Sequence, residues 1–312
     1  MNSIYFLGEC MVELKSLNES TMHQSFAGDV YNSAVYLKRC FRDIETGLIS
    51  AVGRDSLSSR MIAGFEKEGI NSKYVFRHES LAPGMYYIET DSAGERRFTY
   101  WRNQSAARKI VSFLDDEVLN QLTDCNYFFF SGISLAVIEP YQRKLFWQKL
   151  EKLKRLGVKI VFDPNYRARL WGTEKEAVDN FNTAFKLADI VMPGVEDLEM
   201  LYSIDNAHDA VAYCTSMGAM EVVVKNGASS VLTYSNGIVA EHVITPVGNV
   251  VDTTSAGDAF NGVYLGARLS GFDVGPAVAQ AAKAAGIVIQ FPGAIAPESE
   301  FMRLFESGRL NF

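Results

Sequence analysis

Long apolar runs are absent from this chain of 312 residues. The aromatic stretch Tyr127-Phe128-Phe129-Phe130 falls far short of the roughly 20 residues a membrane-spanning helix needs, so no membrane partner is expected. Positive charge is not in excess either. The 30 Lys and Arg residues against 37 Asp and Glu give a net charge of -7, which sets up no field favouring nucleic acid or anionic lipid. An anionic substrate must then be held by locally placed Arg, Lys and backbone N–H groups. Cysteine is scarce: Cys10, Cys40, Cys125 and Cys214 form no CxxC and no Cys/His ligand spacing. Reduced, mostly buried thiols in a cytoplasmic protein are the expectation. The histidines, His23, His78, His208 and His242, have no GxSxG serine elbow to serve. Neither GxxxxGK[ST] nor GxGxxG occurs, which excludes a P-loop and counts against a dinucleotide-binding dehydrogenase. The N-terminal MNSIYFLGECMVEL has no basic leader region and carries Glu9 inside its apolar run, so it reads as a first strand.

What is present is an alternation of strand-like and helix-like segments, and 48% apolar residues to bury between them. Periodicity predicts strands at 3–8 and 47–52, with helices at 28–41 and 57–67. From residue 124 onward, strands at 126–130, 158–162, 189–192 and 221–225 alternate with helices at 140–156, 173–187, 195–202 and 208–217. Two more helices follow, at 259–269 and 274–289. Alternating βα units imply an α/β fold, a doubly wound and mostly parallel sheet with helices on both faces. Ligands of such sheets sit at the carboxyl ends of the strands. Residues 74–104 differ in texture: 84–90 and 96–101 flank Asp91-Ser92-Ala93-Gly94-Glu95, a hairpin signature rich in aromatics and arginine. One domain, 1–312, is expected, with a small β-sheet lid built from about 10–27 and 74–104.

Several segments carry residues suited to chemistry. Val251-Asp252-Thr253-Thr254-Ser255-Ala256-Gly257-Asp258 places small residues ahead of a helix whose N-terminal amides and dipole suit a phosphoryl group. Asp258 there can cap the helix or take a proton from an attacking hydroxyl. Asp163-Pro164-Asn165-Tyr166-Arg167 follows a strand and reads equally as an ordinary turn or as an anion and hydrated-metal site. Spacing leaves open whether Arg167 or Arg169 points inward. Lys225-Asn226-Gly227-Ala228 is hairpin punctuation or a phosphate cradle. In Ala27-Gly28-Asp29-Val30-Tyr31-Asn32, Gly28 permits close backbone approach, and Asn32 lies one helical turn from Asp29. Tyr100 and Arg102, two apart, are expected to share a strand face, where a phenol beside a guanidinium suits a polyol bearing a carboxylate.

Taken together and in this order, the segments resemble the PfkB (ribokinase-like) family of carbohydrate kinases over essentially the whole chain. Longer runs are similar to the branch of that family acting on a 2-keto-3-deoxy sugar acid: Gly8-Glu9-Cys10-Met11-Val12-Glu13-Leu14, Tyr86-Tyr87-Ile88-Glu89-Thr90-Asp91-Ser92, Gly94-Glu95-Arg96, Tyr100-Trp101-Arg102-Asn103 and Asn165-Tyr166-Arg167-Ala168-Arg169-Leu170-Trp171. The resemblance implies a Rossmann-like domain with a β-sheet lid over the sugar, and MgATP as donor. It implies Asp258 as the base, with Ala256, Gly257 and Asp258 supplying the anion hole. A carboxylate near a helix N-terminus is expected to stay ionised and ready for a proton. Substrate contacts would come from Gly28, Asp29, Asn32, Tyr87, Tyr100, Arg102, Arg167 and Asp258, the two arginines favouring an acid sugar over a neutral one. Asn165, Lys225, Gly227 and Gly257 would line the nucleotide side. Glu196 or Asp197 would hold a metal-bound water, and a monovalent cation, K+, would sit near Asp252 and Thr254. The sequence departs from the family pattern at Ala27, Ser230 and Val263, and Pro193-Gly194-Val195-Glu196-Asp197 lacks the Asn of the usual Asn-x-x-Glu element. A homodimer closing through the lid is expected. A kinase of a neutral sugar such as fructose or ribose, a nicotinamide dehydrogenase and a non-catalytic sugar-binding relative are the competing readings.

Overall fold

A computed structural model describes residues 2–90 and 96–307, with the side chains of Thr90 and Arg96 excluded. The expected hairpin turn Asp91-Ser92-Ala93-Gly94-Glu95 lies outside the described residues. In chain order the strands are β1 Ser3–Leu7, β2 Met11–Ser16, β3 Met22–Ala27, β4 Glu45–Val52, β5 Asn71–Arg77, β6 Met85–Thr90, β7 Arg96–Trp101, β8 Tyr127–Ser131, β9 Lys159–Asp163, β10 Ile190–Val191, β11 Glu221–Asn226, β12 Ser230–Ser235 and β13 Ile238–Val243. The large sheet runs β13-β12-β11-β10-β9-β8-β1-β4-β5. It is parallel from β5 to β11, while β12 and β13 add an antiparallel edge.

Helices cover both faces of this sheet, and the aromatic run of β8 serves both. Phe128 and Phe130 join the core under Phe146, Phe162, Phe181 and Phe185. Tyr127 and Phe129 point the other way, to Phe6, Val161 and Tyr264. A strand buried on both faces has no need to alternate with polar residues, which is why the run is continuous.

The small sheet, β3-β2-β6-β7, pairs β2 in parallel with β6 and is otherwise antiparallel. The strand expected at 3–8 runs Ser3–Leu7, and the chain then breaks at residues 8–10 to pass from the large sheet to the small one, where the rest of the N-terminal run forms β2. The break follows from packing, since a Cβ at Gly8 would lie 2.6 Å from Ser134 Oγ, and Glu9 is buried beside Arg102. The return crossing fits as closely: a Cβ at Gly28 would stand 2.3 Å from the Glu9 carbonyl oxygen. Residues 74–77, assigned by texture to the lid, lie instead in β5 at the edge of the large sheet.

The helix expected to begin at 259 starts earlier, as Ala256–Leu269, so that Asp258 lies within its first turn. It packs on the helix Asp29–Cys40 at Gly262, where a Cβ would come within 2.0 Å of the Ser33 carbonyl oxygen. Helices at Asp116–Gln121, Gly132–Val137 and Glu298–Ser307 were not among those expected, although Phe301 and Leu304 give the last a buried face. Among the described residues, no helix is long and apolar enough to cross a membrane.

Candidate active site

A cleft of about 940 Å³ opens where the inner face of the small sheet meets the carboxyl ends of β9 and β11 and the start of the helix Ala256–Leu269. Ser255 caps that helix in a left-handed conformation (φ 67°). The Ala259 amide makes the first helical bond to the Ser255 carbonyl, and the Ala256 amide bonds the Thr253 carbonyl. The amides of Gly257 and Asp258 precede the first helical bond and have no acceptor within the helix. Both residues line the cleft, and the Lys225 ammonium stands 3.9 Å from where a Gly257 Cβ would be. Two donors, a helix dipole and a cation thus converge on one spot suited to a phosphoryl group.

Asp258 is the carboxylate at that spot. Its Oδ2 accepts from Asn32 Nδ2 at 2.8 Å, while the Gly28 amide donates to Asn32 Oδ1 at 3.3 Å. Burial, followed by the charge of Asp29, pushes the Asp258 carboxyl up to about 7; Asp163 adds to the rise and the Asn32 hydrogen bond opposes it. The expectation that the helix N-terminus keeps Asp258 ionised is therefore corrected. Burial among like charges outweighs the partial charge of the helix end. Asp29 is raised too, first by burial and further by Asp163, although Ser131 Oγ and Asn165 Nδ2 both donate to its Oδ2.

A second cluster fixes the other side of the cleft. Lys225 Nζ lies 3.2 Å from Asp163 Oδ1 and 3.1 Å from Asn261 Oδ1, and Asn261 Nδ2 donates to Asp163 Oδ2 at 2.7 Å. Asn261 is fully buried. Asp163 opens the turn that the sequence offered as an anion and hydrated-metal site but was given no role of its own there; Asn261 was not chosen, although it lies one turn beyond Asp258, a spacing that could have flagged it. Asn165 takes a left-handed backbone (φ 35°), and Gly227 another (φ 58°), where glycine carries no steric cost.

The two metal candidates separate. Asp197 is buried and accepts backbone amides with both oxygens, from Tyr166 at 2.7 Å and Gly194 at 3.1 Å. Burial, then the Asp163 charge, moves it up to about 6. Glu196 beside it is exposed on the cleft wall. Asp252 ties down its own loop: Oδ1 accepts from the Thr254 amide at 2.9 Å and Oδ2 from the Gly293 amide at 2.8 Å.

Substrate-side expectations are met unevenly. Gly28, Asp29, Asn32, Tyr100 and Arg167 all line the cleft. Tyr87 does not: it pairs in register with Thr99, whereas Tyr86 pairs with Tyr100 on the alternate, cleft-facing side. Arg102 lies beyond the end of β7, so the alternation argument does not reach it. Its Nε donates to Glu9 Oε2 at 2.8 Å, in an ion pair whose side chains are only 10% and 1% exposed. The phenol beside a guanidinium does exist, but Arg169 supplies the guanidinium, donating from Nη2 to the Tyr100 hydroxyl at 2.7 Å.

Comparison with known proteins places the chain in a family. The family model for pfkB family carbohydrate kinases matches residues 1–300. The 2-dehydro-3-deoxygluconokinase of Haemophilus influenzae is 37% identical over 301 residues, 95% of this chain and 96% of that protein. A fructokinase of Klebsiella pneumoniae is 30% identical over 258 residues, 82% of this chain and 81% of that one. Among solved structures, an E. coli protein provisionally called ribokinase II, in complex with ATP and Mg2+, superposes with a TM-score of 0.84 at 23% identity, covering 98% of this chain and 100% of that one. The chain, with its ribokinase-like fold and its aspartate at a helix N-terminus, belongs to the pfkB family of carbohydrate kinases.

Proposed function

We propose that this kinase transfers the γ-phosphoryl group of ATP to the 6-hydroxyl of 2-dehydro-3-deoxy-D-gluconate, giving the 6-phospho acid. One observation carries the reading: a single cleft holds Asp258 with the Gly257 and Asp258 amides, and also the guanidinium groups of Arg167 and Arg169. The first set suits phosphoryl transfer to a hydroxyl, and the second suits a substrate that bears a carboxylate. Relatives named 2-dehydro-3-deoxygluconokinase, 36–37% identical to this chain, support the choice of sugar.

In this mechanism Asp258 takes the proton of the attacking hydroxyl as the phosphoryl group moves. The Gly257 and Asp258 amides and Lys225 face the charge on the transferring oxygens. Because these groups are preorganised, little rearrangement is needed at the moment of transfer. Asp163 and Asn261 hold Lys225, and Asn165 and Gly227 border the nucleotide side. Mg2+ typically keeps several waters and takes one or two carboxylates together with substrate phosphates. Exposed Glu196 on the cleft wall fits that mode, whereas Asp197 is engaged by backbone amides. Among the described residues, no cluster of three or more His, Cys, Asp or Glu could cage a metal by itself. Held there together with ATP, Mg2+ would supply positive charge against the phosphates.

K+ beside Asp252 and Thr254 would raise the rate over Na+ at equal ionic strength. The cytoplasm, where ATP and reduced thiols coexist, is the proposed compartment. A second copy would cover the small sheet, where Trp101 is 58% and Met22 52% exposed; a monomeric mass in solution would retire that point.

The central test is ADP release by the purified protein with MgATP across a panel of sugar acids and neutral sugars. Turnover of 2-dehydro-3-deoxy-D-gluconate far above fructose and ribose is expected. A preference for either neutral sugar would overturn the assignment.

A further inference from the structure

Among the described residues, two cations of the cleft form no ion pair with a carboxylate. Arg167 and Arg169 both line it and both are exposed. Among the described residues their side-chain contacts are to the Tyr166 carbonyl and the Tyr100 hydroxyl, neither of them a charge. Arg102 is in the opposite condition, buried against Glu9. Withdrawing Arg102 to meet a substrate would leave the Glu9 carboxylate charged in the interior. The uncommitted positive charge therefore stands at positions 167 and 169.

Arg169 is also held in one orientation. Besides the hydrogen bond to the Tyr100 hydroxyl, its guanidinium carbon lies 4.4 Å from the centre of the Tyr100 ring. Stacking on an aromatic face fixes the plane of a guanidinium, which is the property that a bidentate carboxylate contact needs. Tyr100 is supported in turn. It stacks on Tyr86 with ring centres 5.6 Å apart, and the Tyr86 hydroxyl donates to Glu13. Because the Tyr100 oxygen accepts from Arg169, its own O–H remains able to donate. The contact joins β7 of the small sheet to the turn Ala168–Leu170 that follows β9 of the large one.

We propose that Arg169, oriented by Tyr100, is a specificity-determining residue. With Arg167 it forms the cationic end of the cleft that selects a sugar carrying a carboxylate. This rests on the proposed function and adds to it the residue that makes the selection.

The test compares Arg169→Gln with Arg169→Lys in steady-state kinetics with 2-dehydro-3-deoxy-D-gluconate and MgATP. Gln keeps a planar donor for Tyr100 and loses the charge; Lys keeps the charge and loses the plane. The Gln variant should raise KM for the sugar acid on the order of tenfold or more, as expected for losing a hydrogen bond to a charged group. Its kcat and its KM for ATP should stay near wild type, and Lys should recover part of the loss. A Gln variant with wild-type KM would show that Arg169 acts only as a strut for Tyr100 and would overturn the inference. Equal losses in both variants, carried mainly in kcat, would overturn it as well. If the wild-type protein itself leaves the sugar acid untouched, the proposed function fails first and takes this inference with it.

Discussion

Asn32 and Asp258 lie 226 positions apart in the chain and share a hydrogen bond of 2.8 Å. The contact joins the first turns of two helices, Asp29–Cys40 and Ala256–Leu269, whose backbones meet at Gly262. Asn32 donates to the charged form of Asp258 and so favours it, while burial and the charges of Asp29 and Asp163 favour the neutral form. The balance leaves a carboxyl that titrates near neutrality, where a general base works best.

Asp258→Asn should lower kcat by roughly 10²–10⁴, the usual contribution of a positioned base, with a much smaller change in KM for the sugar. The same variant should be more stable than wild type at pH 8. Folding raises the Asp258 carboxyl from 3.8 to about 7, so between those values the folded state binds more protons than the unfolded one. Stability from this group is thus greatest below the unfolded value and falls as pH rises toward the folded value. Asn cannot titrate, so the melting-temperature gap between variant and wild type should open as pH rises and close near pH 4. A variant that unfolds more easily than wild type at pH 8 would contradict this account of Asp258.

The pH dependence of turnover follows from the same group. A base must be deprotonated, so kcat/KM should decline as pH falls through about 7. Asn32→Ala removes the hydrogen bond that favours the charged form, and the acidic limb should move to higher pH. A limb that stays in place in Asn32→Ala would separate Asn32 from the titrating group.

The sequence made the alternating α/β frame legible because buried parallel strands and amphipathic helices carry strong periodic signals. Val195–Tyr202 was bounded correctly by such a signal, and the helices at 140–155 and 174–187 to within a residue or so. Gly28, Asp29, Lys225 and Asp258 could be picked out because each is a glycine or stands close to a glycine or a strand end, and Asn32 because it lies one helical turn from Asp29; all five line the cleft. What stayed hidden depends on partners distant in sequence. Nothing near Arg102 reveals that Glu9 occupies it, 93 positions away. Nothing near Arg169 reveals the Tyr100 ring. Tyr87 came from the resemblance, and alternation says only that Tyr86 and Tyr87 face opposite ways, not which of them faces the cleft.

Gly262→Ala should damage catalysis without touching any group of the cleft. The added Cβ would stand 2.0 Å from the Ser33 carbonyl oxygen, a backbone atom that cannot swing aside. The two helices must separate, and the Asn32–Asp258 contact lengthens with them. Overpacking of this kind costs about 1–3 kcal/mol. Urea unfolding should show that loss, and kcat should fall more than KM rises. Wild-type values of both would mean that the helix pair tolerates a wider spacing than this account allows.

Arg102→Ala carries the last prediction, and the structure changes what the sequence argued for it. Read as a substrate contact, Arg102 would affect KM for the sugar acid and little else. Its guanidinium is instead 10% exposed and paired with a Glu9 side chain that is 1% exposed, at the crossing between the two sheets. Removing one partner of a buried pair typically costs about 3–5 kcal/mol, because the other charge is left without compensation. Chemical unfolding of Arg102→Ala should show a loss of that size, and the double variant Glu9→Gln with Arg102→Met should recover most of it by removing both charges. A single variant as stable as wild type, with only KM for the sugar acid raised, would return Arg102 to the substrate. It would also mean that the Glu9 pair opens readily when the cleft is filled.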